Sequence, residues 1–295
     1  VSQSGPPAIN AATRCCAVYG FPIGHSASPA MHNAAFAALG LNWRYLAFEV
    51  HLNDLPAAIE GARAMGFAGL NLTVPHKLLA LELVDALDPS AKKWGAVNTI
   101  RFESTRGRGR SNIRAVGFNT DADALTTALR EDLKVALRGS RVLLLGAGGA
   151  GRTAALRLAA EKVAELFLVN RTPSKAKALA AEIKRQFPAA RVTVGYPGSA
   201  VDLLINATSL GLQPGDALPL DGRQFSLKQA GAVYDLIYRP AETPLLKAAR
   251  KAGCKTANGL GMLLHQGAKA FEIWTGKTAP LDVMRRALEQ NIYGH

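Results

Sequence analysis

Three glycines in the pattern Gly146-x-Gly148-x-x-Gly151 are the part of this chain best suited to holding a phosphate. They follow the apolar run Val142-Leu143-Leu144-Leu145 and precede an alanine-rich segment, 153–160. The order reads as buried strand, tight turn, helix. In such a unit Gly146 permits the turn, Gly148 lets the backbone approach a pyrophosphate, and Gly151 lets helix and strand pack closely. The free N–H groups and the dipole at the helix start attract phosphates, while a ligand-free glycine turn is the plainer reading. The next apolar stretch, 165–169, ends in Asn170-Arg171-Thr172, with Lys175 close behind. A site for NAD places a carboxylate near this point to take the ribose 2′-hydroxyl. No carboxylate stands here, and the planar fork of Arg171 suits a 2′-phosphate, so the expected cofactor is NADP. A solvated helix start is the alternative for Arg171 and Lys175.

Lys77 is the second candidate for chemistry. It follows Asn71-Leu72-Thr73-Val74-Pro75-His76, where 67–72 reads as a strand. Pro75 reads as the first residue of a helix carrying Leu78, Leu81 and Val84 inward. That places a cation in a first helical turn, where the dipole disfavours it by roughly 0.3–1 kcal/mol. Such a lysine needs either a compensating anion or open solvent. Near the start of the chain, Ser28 reads as an N-cap ahead of Pro29, opening a helix with Met31, Ala35, Phe36 and Leu39 on one face. Two hydroxyls at a helix start, Ser26 and Ser28, suit a carboxylate, although a cap and a loop serine account for them equally. His25 and His32 read as hydrogen-bonding scaffold. Thr120 or Asp121 reads as the cap of a helix reaching about Arg130.

These residues need a framework of alternating strands and helices. In the first part, strands are expected at 14–20, 43–50, 67–72 and 94–102, with a helix from Asn53 or Asp54 to Met65. A loop at 103–112 carries Arg106, Arg108 and Arg110 among Gly and Ser. From Arg141 the rhythm is regular: strands at 141–145, 165–169, 191–195, 201–206 and 232–237, with helices at 173–186 and 243–252. Lys255-Thr-Ala reads as a short last strand, followed by a long helix through Phe271 and Trp274 and a final helix at 280–290. That alternation predicts a doubly wound parallel sheet of Rossmann type. Asn206-Ala-Thr208-Ser follows one of its strands and so lies at the ligand edge.

The 295 residues suffice for two domains, and 48% hydrophobic with 19% charged content is globular rather than disordered. No apolar run approaches the ~20 residues that span a bilayer, and no secretory signal is read at the start, where Val1–Ala12 reads as a frayed tail. Three cysteines without metal spacing suit a reducing compartment, so the expected location is cytoplasmic and no metal is expected. The net charge of +13 favours anionic partners. The basic residues are dispersed and form no nucleic-acid motif, which leaves a phosphorylated cofactor and a carboxylate substrate.

The motifs together resemble the shikimate dehydrogenase family, from about Tyr19 to Gly276. They are Gly20-x-Pro22-Ile23-x-His25-Ser26-x-Ser28-Pro29-x-x-His32-Asn33, Asn71-x-Thr73-Val-Pro-x-Lys77, Gly95-Ala-Val-Asn98-Thr99 and Asn119-Thr120-Asp121. The glycine turn, Asn170-Arg-Thr, Asn206-Ala-Thr-Ser, Tyr238 and Asn258-Gly-Leu-Gly-Met…Gln266-Gly-Ala complete the set. The resemblance implies NADPH-dependent, reversible reduction of 3-dehydroshikimate to shikimate on the route to chorismate and the aromatic amino acids. Lys77 and Asp121 would be the catalytic pair. Ser26 and Ser28 would bind the substrate carboxylate, and Thr73, Asn98, Asp121 and Gln266 the ring hydroxyls, with Tyr238 nearby. Cofactor contacts would come from Gly146, Ala147, Gly148, Gly149, Ala150, Gly151, Asn170, Arg171, Thr172, Lys175, Thr208, Leu236 and Gly259. It also implies an α/β substrate domain, 1–120 with 259–295 packing back on it, around an inserted NADP domain at 121–258, as monomer or homodimer. Where the family usually has Gly after Asn-Thr-Asp, this chain has Ala122-Asp123-Ala124, which could alter the charge near Asp121; His76 stands where Phe is common. Alternatives are a quinate/shikimate dehydrogenase using NAD and, from another class, a non-catalytic NADP-binding regulatory module.

Overall fold

Each of two parts of the chain closes around its own six-stranded sheet in the computed structural model, which describes residues 7–104 and 113–294. The first unit runs to Asp121 and resumes at Leu264; the second is Ala122–Leu263.

The first unit contains β1 (Arg14–Gly20), α1 (Ser28–Ala38), β2 (Trp43–Glu49), α2 (Leu55–Ala64) and β3 (Gly69–Leu72). It continues with β4 (Ala86–Leu87), α3 (Pro89–Trp94), β5 (Thr99–Ser104) and β6 (Ile113–Phe118). The strand order is β2-β1-β3-β5-β6-β4, with β1 parallel to both β2 and β3, and β5 antiparallel to β3 and β6. Strand β3 is buried along its whole length, so its apolar pattern has no solvent face. One core lies among Leu55, Ile59, Leu70, Leu72, Val97 and Ile100.

The second unit holds α4 (Asp121–Leu133, from Ala122), β7 (Arg141–Leu145), α5 (Gly149–Ala160), β8 (Glu165–Val169), α6 (Pro173–Gln186) and β9 (Val192–Val194). It adds β10 (Val201–Asn206), β11 (Ala230–Asp235), α7 (Pro244–Lys251) and β12 (Lys255–Asn258). Every pairing in the order β12-β11-β10-β7-β8-β9 is parallel, which is the doubly wound arrangement expected from the sequence. The chain then runs along α8 (Leu260–Thr275) and α9 (Leu281–Tyr293). Within the first unit, Trp274 of α8 donates its indole N–H to Ile100 O at 2.9 Å.

Three local expectations are corrected. No α-helix opens at Pro75: residues 74–78 are turn, and one 3-10 turn spans Leu79–Leu81. Residues 94–98 are not strand; α3 occupies 89–94, capped by the Asp88 carboxylate on the Ser90 N–H at 2.9 Å. Ser28 is not the N-cap of α1, because that position is Ala27 and Ser28 is already helical. The N-cap of α2 is Asp54, one of the two residues expected there, although its side chain makes no cap bond. The arginines at 106, 108 and 110 lie outside the described residues.

Candidate active site

The parallel register of the second sheet lines up one row of residues: Val169, Leu145, Asn206, Asp235 and Asn258 are neighbours across five strands. Each proposed cofactor contact follows a member of that row within six residues, beyond the carboxyl edge where such sheets bind ligands. Gly146 follows Leu145 with φ +107°, and its N–H donates to Val169 O at 2.7 Å. A Cβ on Gly151 would lie 2.2 Å from Gly146 O, so only glycine lets helix α5 start this close to the turn. Gly148, by contrast, faces open space. Helix α5 begins at Gly149 rather than Thr153, without a side-chain cap or an acidic residue in its first turn. Its N-terminal donors are therefore available to an anion.

The neighbouring residues divide into those facing outward and those engaged in the fold. Arg171 and Lys175 are exposed, and α6 has no acidic residue in its first turn. Asn170 turns inward on the loops: its Oδ1 accepts the Ala147 N–H at 3.0 Å and its Nδ2 donates to Thr172 O at 2.9 Å. Thr208 gives both its N–H and its hydroxyl to Asn206 Oδ1, at 3.0 and 2.7 Å. A Cβ on Gly259 would meet Leu236 O at 2.1 Å, which gives this glycine a packing reason of its own. Buried Asp235 ties two of these loops together. It accepts from Asn206 Nδ2 at 3.0 Å, Ile237 N at 3.1 Å and Thr243 Oγ1 at 2.7 Å. Burial pushes its carboxyl above the usual range, against the pull of those bonds. An open glycine turn, an uncapped helix start and exposed cations with no carboxylate at the end of β8 fit a 2′-phosphorylated dinucleotide.

In the first unit, Lys77 Nζ donates to Asp121 Oδ2 at 2.7 Å, with the lysine side chain 23% and the carboxylate 8% exposed. The compensating anion for Lys77 thus exists, 44 residues away, although the helix dipole argument does not apply. Backbone pairing sets the place of this pair: Val97 N donates to Lys77 O at 2.9 Å and Asn98 N to Phe118 O at 3.0 Å. Asp121 is the first residue of α4, and its carboxylate serves Lys77 and Asn98: Asn98 Nδ2 donates to Oδ1 at 2.9 Å. Asn98 is itself fixed, giving its other amide hydrogen to Thr120 Oγ1 at 2.9 Å and accepting the Thr120 N–H at 2.7 Å. Thr73 stands just past β3, its N–H on Tyr19 O at 3.0 Å.

The hydroxyl of Ser26 accepts the Ser28 N–H at 3.4 Å, and Ser28 itself is buried. His32 is fully buried and stacks on Tyr45 with ring centroids 4.2 Å apart; neither ring nitrogen has a hydrogen-bond partner. Burial holds its imidazole down to about 3, so it is a neutral plate rather than a proton carrier. His76 is also buried, with its imidazole pushed down by burial. Gln266 lies on α8 beside Gly267, where a Cβ would meet Met31 of α1 at 2.1 Å. Tyr238 belongs to the second unit, just beyond β11, and there Asp123 pairs with Arg157 at 3.3 Å. The sequence reading assigned no part to Tyr45, or to Asn71 and Thr99 beyond their places in motifs. Their signal was polar side chains at fully buried strand positions.

Residues 18–100 match the shikimate dehydrogenase substrate binding domain, 128–209 the shikimate / quinate 5-dehydrogenase family, and 259–289 the shikimate 5'-dehydrogenase C-terminal domain. The shikimate dehydrogenase (NADP(+)) of Methanopyrus kandleri is 42% identical over 291 residues, covering 96% of this chain and 98% of that protein. The chain belongs to the shikimate dehydrogenase family. A crystal structure of a shikimate dehydrogenase in complex with NADP+ superposes with a TM-score of 0.87 at 39% identity, covering 99% of both chains. The enzyme of Thermus thermophilus, in complex with NADP(H) and shikimate, gives 0.80 at 38% identity, over 94% of this chain and 99% of that one. The substrate-domain match takes in Ser26, Ser28, Thr73, Lys77 and Asn98, and the 128–209 match takes in the glycine turn through Thr208.

Proposed function

We propose that this member of the shikimate dehydrogenase family catalyses the NADP-dependent, reversible reduction of 3-dehydroshikimate to shikimate, a step toward chorismate and the aromatic amino acids. The observation that carries the reading is the 2.7 Å contact between Lys77 Nζ and Asp121 Oδ2, with the second carboxylate oxygen held by Asn98. Reduction of a carbonyl to an alcohol requires a proton at an oxygen that is gaining negative charge. The Lys77 ammonium supplies both the proton and the positive charge. Asp121 aims the ammonium through a charge-assisted bond, and in the oxidative direction neutral Lys77 is the base.

The remaining residues bind and orient. Ser26 and Ser28 take the ring carboxylate. Thr73, Asn98, Asp121 and Gln266 take the ring hydroxyls, and Tyr238 is a further candidate for substrate binding. The backbone from Gly146 to Gly151 and the start of α5 hold the pyrophosphate, while Arg171, Thr172 and Lys175 take the 2′-phosphate. Asn170 and Thr208 shape those loops, and Leu236 and Gly259 border them. NADPH, when bound, supplies the hydride to the carbonyl carbon. A cytoplasmic enzyme acting on a small diffusible acid follows from the same reading.

Steady-state rates with shikimate and quinate, each with NADP and NAD, test this directly. The expected ranking has shikimate with NADP first by kcat/KM. Preference for quinate with NAD reassigns the substrate, and tight NADP binding without turnover of either acid removes the enzymatic reading.

A further inference from the structure

We infer that Gly20 is a positioning residue: it leaves the slot that seats the Thr73 methyl, and so fixes which way the Thr73 hydroxyl points. The inference rests on the reading above, in which that hydroxyl takes a ring hydroxyl of the substrate. Gly20 is the last residue of β1 and has no side chain of its own to offer. A Cβ there would lie 2.4 Å from Thr73 Cγ2, 2.9 Å from Ile23 Cδ1 and 3.4 Å from Val74 O. The φ of Gly20 lies outside the left-handed range, so alanine suits the backbone and only these contacts oppose it.

The backbone on both sides is pinned. Thr73 N donates to Tyr19 O, Phe21 N to Val74 O and Val50 N to Gly20 O, each at 3.0 Å. His76 N donates to Thr73 O at 2.8 Å. The two segments therefore cannot draw apart, and an added methyl must be met by rotation of a side chain. Ile23 yields cheaply, because Cδ1 is the far end of a flexible chain. Thr73 does not, because it branches at Cβ and its χ1 moves between staggered wells rather than by small steps. A jump that carries Cγ2 out of the slot carries Oγ1 with it. Among the described residues nothing bonds the Thr73 hydroxyl, and its half-buried side chain leaves that hydroxyl to a ligand.

The test is a set of variants assayed with shikimate and NADP. Thr73→Val keeps the shape and removes the hydroxyl, and KM for shikimate should rise about fivefold to tenfold, as for one lost hydrogen bond. Gly20→Ala should match that rise, with kcat within about twofold of wild type and KM for NADP unmoved. Adding Thr73→Ser to G20A should bring KM back to within about threefold of wild type, because serine keeps the hydroxyl and lacks the clashing methyl. Adding Ile23→Val to G20A should not. A merely structural role lowers the melting temperature and is not rescued at position 73. A G20A/T73S enzyme no better than G20A overturns the inference, as does rescue by I23V or a wild-type KM in T73V. In each of those cases wild-type turnover of shikimate leaves the family reading intact, whereas absence of wild-type turnover removes both. Should G20A not fold, T73S alone decides. With the slot empty its hydroxyl spreads over the staggered wells and KM rises about two- to threefold, and an unchanged KM overturns the inference.

Discussion

Asp121→Asn separates the hydrogen-bonding roles of this carboxylate from its shape. Both of its oxygens face donors: Lys77 Nζ at 2.7 Å and Asn98 Nδ2 at 2.9 Å. An asparagine offers one acceptor oxygen, and its amino group must face the other donor. Asn98 cannot yield, because it is 2% exposed and its Oδ1 is held by the Thr120 N–H at 2.7 Å. Lys77 can yield, because its side chain is 23% exposed and reaches water. The amide oxygen therefore stays on Asn98, and Lys77 loses its only acceptor in this pair. A charge-assisted bond of about 1.5–3 kcal/mol disappears there, while the buried Asn98 bond survives in neutral form. We expect kcat to fall by about 10²–10⁴, the range for an aimed proton donor, with a melting temperature within a few degrees of wild type. Asp121→Ala makes the contrast, since it also strips Asn98 of its acceptor and costs a further ~1–3 kcal/mol in stability. The assay pairs steady-state kinetics on 3-dehydroshikimate and NADPH with thermal melts of both variants. A D121N enzyme within about threefold of wild-type kcat, far inside the range for a lost general acid, would refute the pairing as the source of catalysis.

Further predictions concern the cofactor, the buried histidine and the buried aspartate. Replacing exposed Arg171 and Lys175 together by alanine should raise KM for NADP at least about tenfold and leave NAD unaffected, since charge-assisted bonds to a 2′-phosphate are lost; equal effects on both dinucleotides would remove that contact. His32, held down from 6.5 to about 3, is protonated in the unfolded chain before the folded one. Its linkage therefore lowers stability as pH falls from 6.5 toward 3, by a ceiling of roughly 5 kcal/mol. Denaturant unfolding across that window should show the wild type losing stability relative to His32→Leu as pH falls, and parallel curves would exclude it. Asp235→Ala strands the Thr243 hydroxyl and the Asn206 amide, so about 3 kcal/mol of stability should go. Urea unfolding measures that loss, and a loss below about 1 kcal/mol would mean that water replaces the carboxylate.

Much of the cofactor unit was legible from residue order alone. Strand, glycine turn and helix are specified by neighbours in sequence, and the register of parallel strands then places every following loop on one edge. The lack of an acid after 165–169 was equally visible, because it is a local fact. The first unit was read less well where distant residues compete with local preference. Pro75 suggested a helix start, but residues 74–78 follow the backbone bonds of β3 and residue 97 into a turn. Ser28 has the chemistry of a cap, yet it already lies inside α1, while Asn170 meets the glycine turn rather than solvent.

The sequence by itself determined which groups this protein has to work with: an amine, several carboxylates, paired serines and a phosphate-sized turn, each recognisable from its immediate neighbours. Only the tertiary structure decided which of them meet. The partner of Lys77 lies 44 residues away, and the Tyr45–Asn71 and Asn98–Asp121 bonds span 26 and 23. Contacts at that range are set by sheet pairing and burial, where a polar group must bond with whatever partners the fold brings within reach.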